Sequence, residues 1–262
     1  MVRPAGGAAI VLALALAWLP GCRCAAPVDG GDSAAAGYSL HFDGVDDHAI
    51  IENLAGIDGD GITLEAWIRL DGPEVPRANI LARRDPNGGG DSFLFRVRAD
   101  MGGVLEFGIA NKGGAWGMAG KTAIPRETWT HVAVTHDRGT GIIRLFVDGI
   151  LDTEGHSPVT PLAGEMPLWI GGDPLRGPAG RPFGGHLDRI RIWDHVREPA
   201  QLAETRALVL RGDEHGLVLW LPMDEGRGRR TANACAVDHE AVLGEVDGED
   251  PSDPEWSSIV PP

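Results

Sequence analysis

The chain has 262 residues, of which 43% are apolar, enough to build a core and to exclude wholesale disorder. Its 38 acidic and 23 basic residues leave a net charge of −15. That balance argues against a nucleic-acid partner or a basic membrane-binding surface and favours attraction of cations.

The first element is a targeting segment. Arg3 precedes the apolar run "AAIVLALALAWL" over 8–19, which has the length of a signal-peptide h-region but is short for a membrane span. The run ends in "LPGC", Leu19 to Cys22, which resembles the lipobox of bacterial lipoproteins. The resemblance implies a signal peptide over 1–21 and lipidation of Cys22, giving an exported protein anchored to the cell envelope. Arg23 stands where an aspartate would resemble an inner-membrane retention signal, which points to the outer membrane if the cell has one. The other reading is a secreted protein cleaved near Ala25 or Ala26. Residues 22–37 are small, polar and unpatterned, and predict a flexible tether. Of the remaining cysteines, Cys24 and Cys235 are a candidate disulfide pair outside the cytoplasm; no CxxC spacing suggests a metal.

From Tyr38 onward the pattern is strand after strand. "ITLEAWIRL" (62–70) alternates Ile62, Leu64, Ala66, Ile68 and Leu70 with Thr63, Glu65, Trp67 and Arg69, as a half-buried strand does. "SFLFRVRA" and "GVLEFGIA" (92–110) read as a hairpin, and Asp148-Gly149 between two apolar runs predicts a two-residue turn with positive φ. "NKGGAWGMAG" lacks strand period and reads as a glycine-rich loop presenting Trp116 as a ligand-contact residue. His131 and His136, five apart, fall on opposite sides of a strand and read as edge or surface residues. "REPAQLAETRAL" (197–208) is the one helical segment, with Pro199 suited to its first turn. Many short strands separated by Gly and Pro predict an all-β, two-sheet antiparallel sandwich with one short helix, a single domain over 38–260.

"LHFDGVDDHAIIEN", "ITLEAWIRL", "ETWTHVAVTHDRGTGIIRLFVDG", "PLWIGGD", "FGGHLDRIRIWDHVREPAQL" and "LVLWLPMDEGRG" together, and in this order, resemble LamG-like jelly-roll domains of the concanavalin A-like superfamily. The resemblance implies a jelly roll acting as a binding or adhesion module for glycans or surface proteins. It also implies calcium shared between Asp43 of "FDG" and Asp188 of "LDR"; Arg189, where relatives often carry an acid, weakens that site or replaces the ion by pairing with a carboxylate. The other reading of Asp43, Asp46 and Asp47 is turn chemistry, each acid accepting backbone N–H groups. No residue is assigned a catalytic role. HExxH, GxSxG and GxxxxGK are absent, and the only carboxylates spaced like those of superfamily hydrolases, Glu245, Asp247 and Glu249, lie in an acidic stretch with Gly248 and Pro251. The alternatives to a binding module are a polysaccharide-acting glycoside hydrolase and a passive structural lipoprotein.

Overall fold

The structure is a computed structural model that describes residues 37–84, 91–159, 166–174, 180–235, 239–244 and 252–262. In chain order its elements are β1 (Ser39–Asp43), β2 (Ala49–Ile51), β3 (Gly61–Arg69), β4 (Ala78–Arg84), β5 (Asp91–Arg98), β6 (Val104–Asn111), β7 (Gly114–Ala123), β8 (Thr130–Asp137), β9 (Ile142–Val147), β10 (Ile150–His156), β11 (Leu168–Ile170), β12 (Gly184–Trp193), α1 (Pro199–Thr205), β13 (Leu217–Leu221), β14 (Arg230–Thr231), β15 (Ala241–Leu243) and β16 (Glu255–Ser257). The first sheet runs β10-β9-β8-β3-β12-β1-β16, with β13 also paired to β12; the second runs β14-β15-β2-β11-β4-β5-β6-β7. All these strand pairs are antiparallel. The result is the expected two-sheet jelly-roll sandwich.

Period two decides what enters the core. The first sheet contributes Leu64, Ala66 and Ile68 from β3 and Val132 and Val134 from β8; the second contributes Phe93, Phe95, Leu105, Phe107 and Ile109. The predicted hairpin turn forms, with Asp148 at φ 51° and Gly149 at φ 78°.

The outer face of the first sheet departs from the half-buried expectation. Glu65 and Trp67 point outward on β3 yet are 0% and 4% exposed. They are covered by α1 and the segment after it: Leu202 packs on Ala133 and Phe146, and Trp67 Nε1 donates to the Arg206 carbonyl at 2.8 Å. Pro199 opens that helix, and the Gln201 side chain accepts the Glu198 N–H at 2.8 Å. Beneath this lid Glu65 accepts from Trp193 Nε1 (2.6 Å) and pairs with His131 Nε2 (3.0 Å), with Arg191 Nη1 at 3.8 Å. The Arg197 guanidinium stacks 3.9 Å from the Trp193 ring centroid. His131 and His136 do lie on opposite sides of β8, but both are 1% exposed, so neither is a surface histidine. Burial pushes His136 down to about 4, with Arg138 adding to the effect.

Candidate functional site

The segment read as a loop around Trp116 is strand β7, paired along its length with β6. Trp116 sits opposite Ile109, so its ring belongs to the inward face, half-buried against the core and close to Gly155 of β10. The expected glycine-rich loop is therefore corrected to a strand, in which Trp116 is half-buried against the core.

What this hairpin exposes is its other face. The outward residues of β6 and β7 pair as Glu106 with Ala119, Gly108 with Gly117 and Ala110 with Ala115. On β5, Arg96 stands beside Glu106 and Leu94 beside Gly108. Small side chains flanked by a leucine and an Arg–Glu pair leave a trough of about 270 Å³, with Trp116 and Ile109 also among its lining. Small-molecule sites begin at about 300 Å³. Leu94 carries the floor onward into an apolar cluster with Ala82, Trp169 and Ile50 on the same sheet.

The polar side of the trough is organised around one carboxylate. Glu106 Oε2 accepts from Arg96 Nε and from Arg98 Nη1, both at 2.7 Å. Burial alone would raise Glu106, but these two arginines outweigh it and hold the carboxyl below its usual range. Glu106 is thus an anion at neutral pH, the wrong state for a general acid. Arg96 is 7% exposed, and its buried Nη1 has no hydrogen-bond partner among the described residues. Arg96 and Glu106 together give the trough a charged, hydrogen-bonded edge beside its small apolar residues.

The β1–β2 turn holds the acidic cluster. Asp43, Asp46 and Asp47 each bring a carboxylate oxygen within 4.8 Å of the others. Part of their capacity goes to turn chemistry: Asp47 Oδ2 accepts from Asp43 N at 2.6 Å, and Asp43 Oδ1 from Val45 N at 2.7 Å. Asp47 is 4% exposed. Burial, and then the charges of Asp43, Asp46 and Glu255, push its carboxyl up to about 7 against the Asp43 N–H. None of the three has a basic side-chain partner among the described residues. A cavity of about 10 Å³ beside them is bounded by Asp46, Asp47, His48, Gly172 and Asp173. An all-oxygen donor set with uncompensated charge fits calcium.

Asp188 does not join this cluster. β1 pairs with β12 so that Asp43 faces Gly184, whereas Leu40 faces Leu187. Asp188 is thus four residues along the ladder from Asp43, roughly 13 Å at 3.3 Å per residue, and the expected shared calcium between them is not formed. Arg189 does not bridge them either, since its Nη1 donates to the Pro262 carbonyl at 3.0 Å. Asp188 is 2% exposed and accepts the Arg189 N–H at 2.6 Å. Burial raises its carboxyl from 3.8 to about 8, with Asp224 assisting and Arg189 and Arg191 opposing. The folded state therefore keeps a proton that the unfolded chain releases, so this residue costs stability as pH climbs from about 4 to 8. Asp188→Asn is expected to leave the melting temperature unchanged near pH 4 and to raise stability by at least ~1 kcal/mol at pH 9. Paired thermal melts at the two pH values check it.

Cys235 is buried beside Trp193, Leu217 and Trp220. Cys22, Cys24, Glu245, Asp247 and Glu249 lie outside the described residues, as does the apolar run 8–19.

Comparison with known proteins places this geometry. A laminin G family model, described as concanavalin A-like lectin/glucanases superfamily, matches residues 43–203. The chain belongs to that superfamily. No curated protein matches it significantly. Among solved structures, this concanavalin A-like chain is similar to a candidate carbohydrate-binding protein from Bacteroides ovatus, with TM-score 0.61 and 20% identity over 84% of this chain and 61% of that one. It thus spans less than two thirds of the Bacteroides chain. It is also similar to a CBM40 module of a Ruminococcus gnavus sialidase bound to α2,3 sialyllactose (TM-score 0.53, 14% identity, 67% of this chain and 100% of that). A third is the SAP-like pentraxin of Limulus polyphemus (TM-score 0.52, 14% identity, 65% and 82%). At these identities the likenesses establish the concanavalin A-like fold.

Proposed function

We propose that this concanavalin A-like protein is a non-enzymatic, exported and lipid-anchored module that binds glycan in the trough across β5, β6 and β7. The observation that carries the reading is the pairing of an apolar floor of Leu94, Gly108, Ala110 and Gly117 with the Arg96–Glu106 ion pair at the trough's edge. A sugar ring has the same two aspects, a C–H face and a rim of hydroxyl groups that the Glu106 carboxylate can accept from. The reading is supported by the fold shared with a candidate carbohydrate-binding protein and with a module solved on sialyllactose. It is also supported by the state of Glu106, which is ionised and is the only carboxylate among the trough's described residues, whereas glycoside hydrolysis uses two. The sequence supports anchoring through Cys22, which would present the domain to glycans outside the cell, and surface proteins bearing such glycans are partners of the same chemistry.

Calcium belongs to this reading as a structural ion. Asp43, Asp46 and Asp47 would hold it, with the ion neutralising the buried Asp47 and fixing the β1–β2 turn. A glycan-array screen of the purified full-length protein, with and without calcium, tests both parts. Binding to a defined glycan class is expected, and calcium is expected to raise the melting temperature reversibly on chelation. An array with no glycan retained under either condition contradicts the function, and an unchanged melt contradicts the ion.

A further inference from the structure

A second constellation lies on the outer face of the first sheet, away from the trough and two residues along β1 from Asp43 of the acidic turn. His41 on β1 stands directly opposite His186 on β12, and His186 stands opposite Arg69 on β3. Two residues beyond Arg69 the chain brings in Asp71, so that one donor atom each of His41, Asp71 and His186 lies within 4.8 Å of the others. The two imidazole centroids are 4.8 Å apart. We propose that these three side chains form a binding site for a borderline divalent metal ion of the zinc type.

The hydrogen bonds around His186 give the reason. Ser39 is fully buried and donates its only hydroxyl proton to the Ile259 carbonyl at 2.6 Å. Its oxygen, 3.1 Å from His186 Nδ1, therefore accepts from that nitrogen and fixes the Nδ1–H tautomer. The neutral ring then turns the bare lone pair of Nε2 toward Asp71 Oδ2, 3.4 Å away, where two acceptors face each other without a proton between them. The His186 side chain is 5% exposed, so water does not resolve the conflict. Arg69 Nε satisfies Asp71 Oδ2 at 2.8 Å, but Asp71 Oδ1 is buried with no hydrogen-bond partner among the described residues. The His41 ring makes no hydrogen bond among the described residues. Three acceptors thus converge with one orphaned oxygen and one unpartnered nitrogen among them, and a cation resolves all three.

The donor chemistry selects the ion. Two imidazole nitrogens and a carboxylate suit zinc and its neighbours in the transition series, whereas calcium takes oxygen donors. A ligating histidine whose other nitrogen is held by a hydrogen bond is the usual outer support of such sites, here supplied by Ser39. His41 and Asp71 are only half-buried, which leaves an entry path and a fourth position for water. Ser39, His186 and Asp71 are also the residue types of an acyl-transfer triad, but a fully buried serine whose proton is committed to Ile259 cannot attack a substrate.

The test uses untagged full-length protein stripped with chelator, saturated with calcium and titrated with zinc chloride in a calorimeter. One zinc per chain is expected, unaffected by the calcium, and cobalt(II) in its place should show the visible d–d bands of a four-coordinate nitrogen–oxygen site. His41→Ala removes a ligand but no hydrogen bond, so it should weaken zinc binding by at least ~10-fold while its metal-free melt matches wild type. Absence of stoichiometric zinc, displacement of zinc by calcium, or equal binding by His41→Ala would each overturn the proposal.

Discussion

Glu65→Ala is expected to cost about 3–5 kcal/mol of stability, enough to unfold a domain of ordinary stability. The carboxylate is 0% exposed and is the acceptor for Trp193 Nε1 and the partner of His131 and Arg191. Its removal strips two buried donors of their acceptor and leaves the Arg191 guanidinium, 1% exposed, beside a cavity. Glu65→Gln keeps the shape and an acceptor for Trp193, and should cost less. The charge can be read separately by pH. Burial would raise Glu65, but the His131 hydrogen bond and the charges of His131, Arg191 and Arg197 hold it below its ordinary value of 4.5. A depressed carboxyl contributes stability that is present above the unfolded value and lost as pH falls through the folded one. The gap between wild type and Glu65→Gln in urea melts should therefore be widest near pH 7 and narrow below about 4.5.

Gly185→Ala is the second large effect. Gly185 has φ 138°, a conformation other residues rarely adopt, and a methyl group there would overlap the carbonyl oxygen of Arg69. That oxygen is backbone in the neighbouring strand, so relief requires β3 and β12 to separate where His186 faces Arg69. A loss of about 3 kcal/mol or more is expected from strain and lost pairing together. Chemical denaturation gives the value. A variant as stable as wild type would mean that the two strands are less closely apposed than described.

The strands themselves were legible because alternation is local: Ile62 to Leu70 announced which β3 side chains enter the core. Alternation says nothing about what covers the other face. Glu65 and Trp67 are buried by a helix more than a hundred residues downstream, through contacts with no local signature. The strand β7 was hidden by its own composition, since Gly114, Ala115, Gly117 and Gly120 blur the period that marks a strand. Yet small residues on the neighbouring strand carried the signal for the trough: Gly108 and Ala110 occupy the outward positions of β6, whose inward ones are Leu105, Phe107 and Ile109. The pairing of Asp43 with Asp188 failed on register, which is a non-local quantity. A few positions of offset on β12 decide whether Asp188 or Gly184 meets Asp43, and the same offset brings His186 to His41.

In the proposed function the trough over β5, β6 and β7 holds the ligand. Gly108 lies at its floor with only the Trp116 carbonyl near the position of a side chain, so Gly108→Leu should fill the trough without disturbing the sheet. Titration of the best glycan from the array into wild type and Gly108→Leu is the most direct measurement. The account predicts at least ~10-fold weaker binding by the variant, a loss of about 1.4 kcal/mol or more, with an unchanged melting temperature. Equal affinity for the two proteins would contradict it and move the glycan site elsewhere on the sandwich.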